Sequence, residues 1–149
     1  MRKLVILSTI IVFTILCLGR IEAADKSIGK LFIKAGTADV GGQQLADPEL
    51  ADTVKDMKVR HDKFTVVEDE SQADYLIVVL ERKTEVQSPG GTPVNYRIVA
   101  ATLSVKDGES WKAVAKLTNG SGFNSGSSWG IAAGKVIGQA EKWVAENRK

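Results

Sequence analysis

Residues 64–86 read FTVVEDESQADYLIVVLERKTEV, and the succession of patterns in this stretch decides the fold. Residues 64–67 (FTVV) are β-branched and aromatic, which reads as a short strand. Residues 68–72 (EDESQ) form an acidic break, and from Ala73 the chain becomes apolar at consecutive positions before it alternates from Glu81 onward. A strand that is apolar on both faces and then alternates starts inside a covered sheet and runs out beyond it. The stretch therefore predicts a layered α+β domain around one long strand.

Working outward, residues 87–95 (QSPGGTPVN) hold Pro89, Gly90, Gly91 and Pro93 and read as a hairpin tip. The return strand spans 96–106, with Val99, Ala101, Leu103 and Val105 on one face. Asp107-Gly108 signals a tight turn into a strand over 111–117, on which alternation places Trp111, Ala113, Ala115 and Leu117 on one face. Upstream, Asp47 is an N-cap, Pro48 suits the first helical position and Glu49 is a first-turn acid, so a helix is expected over 48–62 with Leu50, Val54, Met57 and His61 along its stripe. A strand over 30–36 and a polar link over 37–44 precede it. Downstream, the Gly/Ser-rich segment 119–128 leads into a closing helix that runs to about 147, capped by Ser127 or Ser128. Its buried stripe is expected to be Ala133, Val136, Ile137, Ala140, Trp143 and Val144, with Lys135, Glu141, Lys142 and Glu146 facing solvent. The order β-α-β-β-β-β-α gives an α+β fold, a mixed or mainly antiparallel sheet with two helices packed on it.

Arg2 and Lys3 precede an apolar run over 4–19, followed by Arg20, Ile21, Glu22, Ala23 and Ala24. This is the pattern of a signal peptide, with cleavage expected after Ala23 or Ala24, so that residues 1–24 are a leader and 25–149 one domain. The alternatives are an uncleaved anchor and a lipid on Cys17; the run is shorter than the roughly 20 residues of a spanning helix, and Leu16 is an unusual neighbour for a lipidated cysteine. Taking Arg2, Lys3 and Arg20 from 20 Lys+Arg, and Glu22 from 18 Asp+Glu, leaves 17 of each sign. The exported domain is then neutral and thiol-free. That excludes redox, disulfide and cysteine chemistry and gives no electrostatic footprint for nucleic acid. With one histidine, His61, neither a zinc site nor a Ser-His-Asp triad is expected. Glu68, Asp69, Glu70 and Asp74 lack the spacing of a calcium loop and read as a solvated turn. No cofactor motif occurs: residues 119–128 and Gly134-Lys135 match neither phosphate-loop pattern. Gly130, Gly134 and Gly138 recur every four residues, at a cost of roughly 1 kcal/mol each relative to alanine, so something must lie close to that helix face.

Val66, Val67, Glu68, Ala73, Asp74 and Tyr75 carry a resemblance that extends over about 30–147. The chain resembles the small α+β domains of bacterial envelope proteins: the periplasmic domain of the curli secretion channel CsgG, the amino-terminal domain of TolB, and lipoprotein activators of penicillin-binding proteins. The resemblance implies a periplasmic, non-catalytic binding or assembly module. Its expected partner is an envelope or secreted protein, met at the hairpin tip, at the loop over 120–128 or along an exposed sheet edge. Membrane contact is expected only through the leader before cleavage. The residues expected to touch a partner are Pro89, Gly90, Gly91 and Pro93 at the hairpin tip, and Phe123 and Trp129 at the glycine-rich loop; Phe123 reads equally as a residue that pins that loop to the core. The competing readings are a small secreted hydrolase working through carboxylates and an inhibitor of a secreted enzyme.

Overall fold

The computed structural model describes residues 27–40, 43–122 and 129–148. Five strands form one sheet: β1 (Lys30–Ala35), β4 (Thr65–Val66), β5 (Tyr75–Gln87), β6 (Val94–Asp107) and β7 (Ser110–Gly122), in the spatial order β4-β1-β5-β6-β7. β1 is parallel to both β4 and β5, and the β5–β6–β7 meander is antiparallel. Helix α1 (Pro48–Lys58) crosses between β1 and β4, and α2 (Trp129–Asn147) closes the chain. This is the expected α+β architecture. The segment read as a polar link is instead a separate hairpin, β2 (Thr37–Val40) with β3 (Gln43–Ala46).

Both helices cover the same sheet face. Leu31, Ile33, Ile77, Val79, Val99, Ala101, Leu103 and Leu117 meet Leu50, Met57, Ala133, Val136, Ile137, Ala140 and Val144 in one cluster. β1 reaches only as far as Val79 on β5: Gly36 donates its N–H to the Val79 carbonyl, and a Cβ there would sit 2.8 Å from that oxygen. The β5–β6–β7 meander therefore extends past its own neighbours, as the shift from continuous to alternating hydrophobicity implies.

α1 begins as read, with Asp47 Oδ1 accepting the Glu49 N–H at 2.8 Å. It stops at Lys58 rather than 62. The reason lies on the other helix: Glu141 Oε1 accepts the N–H groups of both Asp62 and Lys63 at 2.8 Å and holds the chain in a non-helical turn. Glu141, expected at the surface, is 7% exposed. His61 lies beyond the helix in that turn and is half-buried.

β7 departs further from its reading. A bulge, marked by the register step from Leu103↔Ala115 to Ser104↔Ala113, inserts Val114. The insertion reverses the side-chain alternation. Ala115 and Leu117 pack towards the helices, whereas Ala113 is exposed and shares the opposite face with Trp111. β7 also runs to Gly122 instead of ending at Leu117, because residues of β6 cover its glycines. The Tyr96 ring lies over Gly122 and Ile98 lies over Gly120, at distances that a Cβ would violate or strain. Glycine weakens a strand by exposing backbone, and a cross-strand aromatic restores that cover.

Candidate functional site

The four acids of the 68–74 turn do not converge. Glu68 pairs with Lys58. Asp69 caps a one-turn 3-10 helix (Glu70–Gln72), its Oδ1 accepting the Ser71 N–H at 2.9 Å, and these hydrogen bonds from the Ser71 backbone and hydroxyl hold its carboxyl below the usual aspartate range. Glu70 receives Lys34 Nζ at 2.9 and 3.1 Å. Asp74 Oδ2 accepts the Lys30 N–H at 2.8 Å and ties the start of β1 to β5. A shallow groove of about 280 Å³ contains Glu70, Glu109, Lys106 and Trp111, and of the four turn acids only Glu70 lines it. Among the described residues no group of three or more His, Cys, Asp or Glu is placed to hold a metal ion.

The hairpin tip stands at the surface. Gly90 and Gly91 adopt φ of 68° and 86°, in the left-handed region that favours glycine, and both are exposed together with Pro93. Pro89 opens the 3-10 turn there (Pro89–Gly91). Phe123 lies outside the described residues. Trp129 is half-buried, with the Arg82 guanidinium 4.1 Å from its ring centroid and that of Arg97 at 5.7 Å. It is thus a packing platform for arginines, an arrangement that no sequence spacing announced.

The edge strand β7 carries the other candidate surface. In an antiparallel ladder, residues alternate between those whose backbone groups face the neighbour and those that face away. Along 118–120 the outward groups are satisfied from within the chain. Gln139 Nε2 donates to the Thr118 carbonyl at 3.2 Å, Lys135 Nζ to the Gly120 carbonyl at 2.9 Å, and the Gly120 N–H donates to Asn119 Oδ1 at 2.9 Å. Along 111–116 no α2 side chain does this among the described residues. There the Val114 bulge opens a shallow groove of about 310 Å³, lined by Thr102, Ala113, Val114, Ala115 and Lys116. The bulge and the exposed Lys112 and Lys116 prevent indiscriminate strand pairing. Any partner has to match them. The bulge is the signal that the sequence did not carry.

No family model matches the sequence, and no curated protein matches it. Solved structures do resemble the fold. The hypothetical protein CT253 from Chlamydia trachomatis aligns at TM-score 0.52 and 10% identity, covering 80% of this chain and 99% of that one. A minor lipoprotein from Acinetobacter baumannii aligns at TM-score 0.46 and 15% identity, over 80% and 92% of the two chains. XCC0632 from Xanthomonas campestris, a DUF330 protein, aligns at TM-score 0.43 and 16% identity, over 84% and 86%. At such identities the likeness is one of fold.

Proposed function

We propose that this chain is an exported bacterial envelope protein, a non-catalytic module that binds or assembles with a partner protein along residues 111–116 of β7. The observation that carries this reading is the unequal treatment of one edge strand: α2 side chains cap the carbonyls of Thr118 and Gly120, while among the described residues none caps the bulged segment beside them, where a groove of about 310 Å³ opens. Main-chain recognition at a sheet edge needs few distinctive side chains, which fits a sequence without a chemical motif. Lys112 and Lys116 favour a partner segment with acidic residues. The basic, apolar and small-residue succession at the amino terminus supports export. Against a carboxylate hydrolase weighs the engagement of Glu68, Asp69, Glu70 and Asp74 with separate partners. Against an inhibitor weighs the tip itself: Gly90 and Gly91 are exposed, and a Cβ added at either would meet nothing within 4 Å, so no side chain packs on the two glycines to stiffen the loop.

The test is capture from an envelope extract by the immobilised protein and by an Ala113→Arg variant. Ala113 is exposed, so the variant folds, but its side chain fills the groove. The reading expects a discrete partner with the parent protein and loss of that partner with the variant; equal capture by both would refute the proposed surface. Export is checked separately by mass spectrometry, which should find an amino terminus at Ala24 or Asp25, whereas an intact Met1 species in membranes would overturn it.

A further inference from the structure

The sheet has a second bare edge, on the side away from β7. β1 ends at Ala35 beside Val79, and the β2–β3 hairpin that follows it pairs with itself and does not run beside β5. Residues 81–87 of β5 are therefore laddered to β6 alone. Register tells which of their backbone groups face outward. The Gly120 N–H and carbonyl point away from β6, so those of its partner Ile98 point to Lys83, and those of Lys83 point back. Arg82, Thr84 and Val86 thus turn their N–H and C=O groups outward, and among the described residues no hydrogen bond reaches them.

The side chains on this edge complement their own reverse. On the sheet face away from the helices stand Lys83 and Glu85, paired with each other at 2.7 Å and 44% and 42% exposed. On the other face, which Arg82 shares with the core residue Val99, stand the exposed Thr84 and Val86, the latter an apolar side chain 67% exposed. A two-fold axis through Thr84, normal to the sheet, brings a second copy alongside with its strand antiparallel. Lys83 then lies opposite Glu85 of the second copy, and Glu85 opposite its Lys83. Thr84 meets Thr84, and Val86 packs on the aliphatic stem of Arg82, whose guanidinium is held at the Glu49 carbonyl of its own chain. Opposite charges and threonines set directly across two antiparallel strands are stabilising pairs. The same operation on β7 about Val114 would set Lys112 against Lys116, so that edge does not match itself.

We propose that two copies of this protein join edge to edge through residues 82–86 of β5, antiparallel and two-fold, so that one sheet runs through both. The contact is isologous and closes on itself, which limits the assembly to a dimer. Its affinity comes from the outward N–H and C=O groups of Arg82, Thr84 and Val86, and its register from the crossed Lys83 and Glu85 pairs. An interface of this length lies at the small end of the range, below about 1,200 Å², so the dimer forms in the micromolar range or above. It leaves the β7 edge free and does not depend on the reading proposed for that edge.

The test is analytical ultracentrifugation of the full protein, purified from cells that export it, from about 1 μM to about 1 mM. Lys83→Glu and Glu85→Lys each set like charges across the axis and should weaken the dimer about tenfold. The pair is exposed, so both variants keep the fold, which circular dichroism checks. Mixed in equal amounts, the two variants should dimerise with each other at about the parent affinity, because every acidic position then meets a basic one. Thr84→Pro removes an outward N–H at the axis, which an edge strand tolerates, and should abolish the dimer while the monomer stays folded. A parent that remains monomeric up to about 1 mM overturns the proposal. So do single reversals that leave the dimer unchanged, or a mixture that associates no better than either variant alone.

Discussion

The two halves of β7 share one strand and one partner strand, yet the fold treats them differently. Residues 117–122 are anchored: Leu117 is buried, Tyr96 and Ile98 cover the glycines, and Gln139 and Lys135 from α2 cap the outward carbonyls. Residues 111–116 have a bulge, two exposed lysines and a groove, and among the described residues no α2 side chain caps their backbone. A sheet edge is a liability that a protein either closes or guards. Here residues 117–122 are closed, whereas residues 111–116 are guarded by a bulge and lysines; the proposed partner surface rests on that difference.

The comparison breaks most visibly in stability. Leu117→Ala removes a side chain that is 4% exposed and packed in the core, and should cost about 3 kcal/mol in urea unfolding. A loss below about 1 kcal/mol would mean that residues 117–122 are not anchored. Tyr96→Ala strips the cover from Gly122 and should cost about 1 kcal/mol, with faster amide exchange along residues 119–122 as its local signature. Gln139→Ala uncaps the Thr118 carbonyl for about 0.5 kcal/mol or less, since that edge can then be hydrated. Lower still is the contribution of Asp69, whose 3-10 turn lies beside Lys106 and Trp111: the Lys106 ammonium donates to the Ser71 carbonyl at 2.6 Å. Hydrogen bonds from Ser71 hold its carboxyl below the ordinary aspartate value of 3.8, so its stabilisation is present above that pH and is lost as pH falls through the lowered folded value. Asp69→Asn should flatten the acid limb of the stability profile by a small amount and leave the neutral range unchanged.

Legibility from sequence divides along the same physical lines. The long strand, the hairpin tip and the capped start of α1 were readable because each has a local cause: hydrophobic continuity in residues 75–80, glycines at positive φ, and the Asp47-Pro48-Glu49 cap. Positions set by contacts between distant residues were not. Glu141 looks like a surface residue by helical period, yet it is buried because it terminates α1 from 79 residues away. The Val114 bulge has no glycine or proline to mark it, so alternation placed Ala113 on the wrong face. The spacing of Gly130, Gly134 and Gly138 signalled a close neighbour; at the first two it is the Arg60 side chain, and at Gly138 an added Cβ would meet nothing within 4 Å. An exposed sheet edge was expected alongside the tip and the loop, but the bulged segment of β7 depends on these long-range features and could not be picked out from the sequence.

The most direct test compares the halves in place. A photo-crosslinking amino acid at Ala113, and in a second variant at Thr118, would be activated in cells that export the protein. The account predicts a discrete crosslinked species from position 113 and none from 118, where Gln139 covers the strand. Adducts of equal intensity from both positions, or adducts from 118 alone, would contradict it.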